Sequence, residues 1–593
     1  MAIFFCVCAF FVGFLLRIRL VNAPCPSNQR PRPSRHPLFA RGGVGGVGLP
    51  TACQAGETST PLQLLFLFSQ NGLSFLFLFS QNGLLFLFLF SQNGLLFLFL
   101  FSQNNLLFLF LFLEIVFFLL RIENFVVFLR HDQSSPEMTN VYYPRLIDRY
   151  LLDWKNGRVH KPLLLRGARQ VGKSRAVQHL GESFKYYIEA NFEKREELKN
   201  LFQQVSDVHE IAARIALLYH TPIIPGQTLL FLDEIQACPE AIKRLWFFKE
   251  DYPELHVVAA GSLLEFALKK MPSFGVGRIR SLFMYPMSFE EFLLAQGKQG
   301  WVDAIEASSP DSPIVDELHL ELVQLFRTFL IVGGMPSSVA TWVETHDYLQ
   351  CADEQDDIHQ TYYDDFVKYA DEVSPQLLRN TLRSVVAQVG GKFVFSQVDG
   401  GFGIDDVKRA LELLSDAGLI KRVSHSAGNG IPLGAEVNDK FRKYNYLDSG
   451  LLLRMLDLEL GGADILTEMI LAGAAADLVN KGGLTEMVAG WEMVKYGSPR
   501  TQHDLFYWQN TDKGTSSEVD YLTTRQMKVL PIEVKSGISG KMKSLRLFMR
   551  KRHLTRAVRT SLENFGILNY PDAEDGDGLR QISIIPLYAL SRI

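Results

Sequence analysis

The chain has 593 residues, enough for three or four domains at about 150 residues each. Its 60 basic and 64 acidic side chains leave a formal charge of -4, which argues against a dedicated polyanion binder. Cys6, Cys8, Cys25 and Cys53 lie near the start and Cys238 and Cys351 further on, with no Cys-x-x-Cys and no histidine cluster at ligand spacing. That excludes a disulfide scaffold and a zinc module, and it fits a reducing cytoplasm.

The first 137 residues differ from the rest. Residues 58–113 contain no charged side chain, and 24 of the 45 phenylalanines precede Met138. Residues 64–113 repeat with a period of 11 around Ser-Gln-Asn-Gly, as in LLFLFLFSQNG. As a solenoid the repeat has no polar face for water. As a membrane helix it is interrupted every seven or so apolar residues, where about 20 are needed. An aggregation-prone segment remains. The opening MAIFFCVCAFFVGFLLRIR has an apolar run but no basic residue ahead of it, so it makes a poor secretory signal. The expectation is a functional protein that begins at Met138, with 1–137 outside it; the rival is a membrane-attached leader. The body carries 52 basic and 59 acidic side chains, and a membrane role for it is not expected.

After a helical stretch, YPRLIDRYLLDWKNGR, the apolar run Leu163 to Leu165 leads into Gly167, Ala168, Arg169, Gln170, Val171, Gly172, Lys173 and Ser174, and then into a helical pattern. This is the Gly-x4-Gly-Lys-Ser phosphate loop in strand-loop-helix context. Glycines let backbone N–H groups curl around a phosphate at the positive end of a helix. Lys173 would reach the β and γ phosphates of ATP, and Ser174 would supply an oxygen to Mg2+. Further on, QTLLFLDEIQ reads as a buried strand from Leu229 to Leu232 that ends in Asp233 and Glu234. At the carboxyl end of a parallel strand, Asp233 would hold the Mg2+ shell and Glu234 would activate water; the bland alternative is an acidic helix cap. A third strand, His256 to Ser262, ends in a serine that could sense the γ phosphate.

With these motifs the sequence resembles the AAA+ ATPases that carry a DUF4143 region. The matching stretches are GARQVGKS (167–174), LLFLDEIQ (229–236), AAGSLLEF (259–266), GRIRSLFMYPMSFEEFL (277–293), VGGMPSSV (332–339), YYDDFVKYA (362–370) and YNYLDSGLL (444–452). The resemblance implies an α/β P-loop NTPase domain (138–295), a helical lid (296–375), a winged helix (376–455) and a restriction-endonuclease-like α/β domain (456–593). Similar ATPases place an arginine near the nucleotide at the position of Arg278; the alternative is a salt bridge to the Glu290 and Glu291 stretch.

Residues 404–423 place Ile404, Val407, Leu411 and Leu414 on one helical stripe ended by Gly418. A β-prone segment, the loop HSAGNGIPLG and YNYL come next, which together read as a winged helix. Asp405, Asp406 and Glu412 offset Lys408 and Arg409, and a groove reader needs a cationic excess. A structural or partner-docking role is therefore favoured over base reading. Further on, Glu486 falls on a helix, Glu518 and Asp520 on one strand, and Glu533 and Lys535 on the next. This resembles the PD-(D/E)xK nuclease core, in which Asp520 and Glu533 would gather Mg2+ and Lys535 would steady hydroxide; solvated strand residues are the bland reading. Three functions are compatible with these motifs. One is an ATP-driven switch that positions the later domains on DNA or a protein partner, alone or as an oligomer. The second is a metal-dependent nuclease licensed by ATP, and the third a nucleotide-sensing regulator with little turnover.

Overall fold

A computed structural model describes the strands Gln63–Phe68, Phe75–Gln81, Leu84–Ser91 and Gly94–Phe101. It also describes residues 141–593 apart from 159, 263, 270, 272–276, 461–480, 511, 513–516, 538–541 and 573–577. The expected start at Met138 lies outside the described residues. The chain divides into two compact units, 1–136 and 137–593. In the first, the four strands (β1 to β4) form an antiparallel meander in chain order. Its register sets Phe77 opposite Phe88 and Leu78 opposite Leu87, so each copy of the repeat pairs like with like.

The second unit is built on two sheets. The first contains β5 (Leu163–Arg166), β6 (Tyr186–Asn191), β7 (Thr228–Asp233), β8 (His256–Ala260) and β9 (Arg280–Phe283), in the order β6-β7-β8-β5-β9 and parallel throughout. Strand alternation sorts the side chains onto two faces. Leu163, Leu165, Leu229, Phe231 and Val258 enter one core. Leu164, Leu230, Leu232, Val257 and Ala259 enter the other, under helices Glu196–Gln204, Val208–Leu218 and Pro239–Asp251. Burial on both faces explains why these strands are continuous apolar runs. The helix expected to open the body is short, Asp148–Lys155, because Pro144 holds the preceding residue extended and the Arg145 N–H donates to Asp148 Oδ2 at 2.8 Å.

Five helices between Phe289 and Asp365 come after the first sheet. Their packing centre is aromatic: Phe289 and Phe326 have ring centroids 5.3 Å apart, as do Phe292 and Phe329, and all four are fully buried. Helices Pro375–Ala387 and Ile404–Asp416 come next. Val407, Leu411 and Leu414 are buried as expected, but Ile404 is exposed, because the first residue of that helix projects beyond the core its later turns cover.

The second sheet has eight strands: β10 (Ile420–Ser426), β11 (Val437–Tyr446), β12 (Leu505–Gln509), β13 (Glu518–Arg525), β14 (Lys528–Val534), β15 (Arg556–Ser561), β16 (Gly566–Asp572) and β17 (Gly578–Pro586). Their order is β11-β10-β12-β13-β14-β15-β17-β16. The β10–β11 hairpin, read from sequence as part of a separate domain, is thus the edge of the same sheet that holds the later strands. The pairing of Val423 with Leu505 and the helix Ser449–Leu460 both carry structure across the expected boundary at 456.

Truncating Phe326 to alanine should lower stability by about 3–5 kcal/mol, the usual cost of emptying a large buried aromatic site. Chemical or thermal unfolding of the purified chain measures this; an unchanged midpoint would mean that the aromatic centre is not where the helices are held.

Candidate functional site

The phosphate loop joins β5 to helix Lys173–Glu182. Gly167 has φ +145, and a Cβ there would lie 2.1 Å from the Met284 carbonyl oxygen, so no other residue fits. Gly172, with φ +97, is the N-cap of the helix. The outward groups of the loop are all held. Arg145 donates to the Val171 carbonyl at 2.9 Å, and Tyr362 Oη donates to the Arg169 carbonyl at 3.1 Å. The Arg169 guanidinium bonds both Asp365 oxygens, at 2.7 and 2.9 Å, and Gln170 reaches Thr361 at 3.2 Å. With the Arg169 and Val171 carbonyls engaged outside, the loop is free to turn N–H groups inward.

Strand order decides what faces this loop. β8 lies between β5 and β7, so the carboxyl ends of all three converge. Ser174 Oγ donates to Asp233 Oδ1 at 3.2 Å, and Asn191, paired with Asp233 across β6 and β7, donates to Oδ2 at 2.9 Å. Glu234 is left-handed, φ +49 and ψ +45, a conformation that costs a non-glycine residue energy and turns the side chain toward β8. There its Oε2 accepts from Ser262 N and Oγ, each at 3.1 Å, and from Gln236 Nε2 at 2.6 Å. Gly261 leaves room for the Gln236 amide, whose Oε1 would lie 1.9 Å from a Cβ there.

A cavity of about 380 Å3 opens here, lined by Arg169, Gln170, Gly172, Lys173, Ser174, Asp233, Glu234 and Ser262. Helices of the next region close it with Pro336, Ser337, Glu354, Asp357 and Ile358. Gly167 and Ala168 line a neighbouring cavity, and Val171 is buried beneath the loop. Lys173 Nζ donates to the Gly167 and Ala168 carbonyls at 2.9 and 2.7 Å. Burial pushes its pKa down to about 8, against the pull of Glu234 and Asp233. Burial, and then Glu234, push the Asp233 carboxyl up.

Arg278 is not part of this cluster. It precedes β9, whose first residue pairs with the first residue of β5, at the end of the sheet away from the loop. Its Nε lies 2.7 Å from Glu250 and its guanidinium sits 4.3 Å from the centre of the Trp246 ring. An arginine role at the nucleotide within one chain is thereby corrected, and the pairing with Glu290 or Glu291 is corrected too, because Glu291 is engaged by Arg145 at 3.0 Å. Sequence reading missed Asn191, Arg145 and Asp365. The first had a signal, a polar residue at the end of a buried strand, the pattern that pointed to Ser262.

The later carboxylates form a second cluster. Oxygens of Glu486, Glu518 and Asp520 lie within 4.8 Å of one another, and Lys443 Nζ is 2.8 Å from Glu486 Oε1 and bonds Glu518 as well. Glu533 pairs with Lys535 at 2.5 Å, and Asp520 Oδ2 accepts from Val534 N at 2.7 Å. Burial pushes Glu486 up to about 8 and Glu533 up to about 7, and it raises Asp520.

Residues 159–293 match the model of the AAA domain called AAA_14, and residues 481–590 match DUF4143, a domain of unknown function. The chain carries an AAA domain and a DUF4143 domain. Between the two, residues 323–460 match another domain of unknown function, DUF8612, which covers part of the expected lid and all of the expected winged helix. No curated protein matches the chain. Similar solved structures include the Aeropyrum pernix ORC1 protein in complex with DNA, at 13% identity and TM-score 0.24, covering 55% of this chain and 94% of that one. Another is the S. cerevisiae Hsp104-ADP complex, at 13% identity and TM-score 0.21, covering 46% of this chain and 37% of that one. The parallel sheet with its phosphate loop is a P-loop NTPase fold. Among the described residues no helix is long and apolar enough to cross a membrane.

The lowered Lys173 pKa has a pH consequence. Between about pH 8 and its ordinary value of 10.5 the empty AAA site sheds a proton, and bound phosphates restore it. At about pH 9 nucleotide binding should therefore take up close to one proton, and at pH 7 very little. Calorimetry in buffers of different ionisation enthalpy reads this directly, and equal uptake at both pH values would refute it.

Proposed function

We propose that the AAA domain binds ATP with Mg2+, hydrolyses it, and uses the nucleotide state to position the DUF8612 and DUF4143 regions on a partner. The observation that carries this reading is the convergence of three strand ends: Asp233 on Ser174, and Glu234 held by Ser262. The donor set suits a hard divalent ion, since a hydroxyl and a carboxylate oxygen lie 3.2 Å apart beside the loop. Ser174 and Asp233 would hold Mg2+, which supplies positive charge to the phosphates. Lys173 leaves its carbonyls to grip the β and γ phosphates. Asn191 fixes Asp233 Oδ2, so that Oδ1, beside Ser174, is the oxygen that would hold the ion. Glu234, kept in place by Ser262 and Gln236, accepts the proton of the attacking water. Asp365 and Tyr362 tie the loop to the lid helix.

Two contacts favour a switch over an isolated hydrolase. Gly418, at the end of the helix before the hairpin, lies against the loop, where a Cβ would be 3.2 Å from Ala168 N. Asp448, just past β11, accepts the Gly334 N–H at 2.7 Å, two residues from Pro336 in the cavity wall. The helix and hairpin at 404–446 have the order of a winged helix, and the exposed pairs Asp405–Lys408 and Asp406–Arg409 neutralise its charge. That composition suits docking to a protein better than reading a DNA groove.

Lys173→Ala should abolish nucleotide binding. Glu234→Gln should keep binding and lower turnover about 10²–10⁴-fold, since the loss is confined to the proton acceptor. Phosphate release and labelled-nucleotide binding separate the two; wild-type turnover in the Glu234 variant would remove it as the base.

A further inference from the structure

A PD-(D/E)xK arrangement implies a divalent ion among its carboxylates, and the residues around this cluster do not fit one. Among the described residues, Glu486, Glu518 and Asp520 form the one group of three carboxylates close enough to share an ion. That position already has a cation. Lys443 Nζ bridges Glu486 and Glu518, and its side chain is 1% exposed. The face of Tyr507, with its centroid 5.0 Å from the ammonium, forms a third wall, as expected for a desolvated cation.

The lysine is not a mobile surface group folded in by chance. It sits within β11, paired with Val423 of β10. Two residues on, Asn445 Nδ2 donates to Tyr521 Oη at 2.9 Å, and that hydroxyl donates to the Glu486 carbonyl at 2.8 Å. Backbone register and a buried polar chain therefore both set where the ammonium stands. Leaving would place the buried Glu486 carboxylate, and beside it the half-buried Glu518, without this counter-charge, a costly state. Of the remaining members, Glu533 Oε1 pairs with Lys535 and Asp520 Oδ2 accepts the Val534 N–H, while Glu533 Oε2 is buried without a hydrogen-bond partner.

We propose that Lys443 is the resident cation of the DUF4143 carboxylate cluster, standing where a divalent ion would bridge Glu486 and Glu518, so that the native chain holds no divalent ion there. The ionic centre at Glu486 and Glu518 is then internal to the chain, tying the β10–β11 hairpin to the DUF4143 strands.

The test is Mn2+ binding, followed by electron paramagnetic resonance on the full chain without nucleotide. Wild type and Asp520→Asn should bind the same amount of Mn2+. Lys443→Met should bind one further ion, with affinity at least about 30-fold above wild type. Coulomb's law gives that factor for a single charge about 4 Å from a divalent ion even at the dielectric constant of water. Adding Asp520→Asn to Lys443→Met should remove the extra ion. A wild-type site that Asp520→Asn abolishes would overturn the proposal, as would a folded Lys443→Met chain with no added ion. Should Lys443→Met fail to fold, the comparison of wild type with Asp520→Asn still decides the matter.

Discussion

The phosphate loop can turn its amides toward one point only because its carbonyls and side chains are tied down behind it. Eight residues with two left-handed glycines have little structure of their own. Arg145, Tyr362 and Asp365 supply the ties from 26 residues upstream and more than 190 downstream. The same Arg145 reaches the Tyr285 carbonyl after β9 at 2.7 Å and pairs with Glu291. A single buried guanidinium therefore sets the loop, the exit of the last strand and helix Phe289–Ala295 against one another. Its fork geometry suits it to that role in a way a lysine would not.

Much of the AAA site was legible because its determinants are local. Leu163 to Leu165 and Leu229 to Leu232 are too apolar for anything but central strands, and the polar residues just beyond each run are placed by strand geometry alone. Ser262 was legible for the same reason. Asn191 obeys the same rule, but β6 is less uniformly apolar, so its end stands out less. Arg145 and Asp365 were illegible because their partners lie far along the chain. Arg278 was misplaced because its position after the third strand says nothing about which end of the sheet it occupies. The register of β9 against β5 settles that.

The DUF4143 half shows a different limit. Glu486, Asp520, Glu533 and Lys535 were all legible from spacing, and the structure does bring them to one region. Lys443 was not, because it belongs to a hairpin that reads as part of another domain. A pattern of like charges identifies a cluster but not its counter-ion, and the counter-ion decides what the cluster can do.

The shared sheet also governs how the chain can be divided. β10 has β11 on one side and β12 on the other, and β12 begins 79 residues after β10 ends. A fragment stopped at the expected boundary of 456 would leave one side of β10 with open N–H and C=O groups, including those of Val423 and His425 that face Leu505 and Tyr507. Such an edge invites pairing with a second molecule. By lying beside β10, β12 therefore covers a strand edge that a fragment ending at 456 would expose.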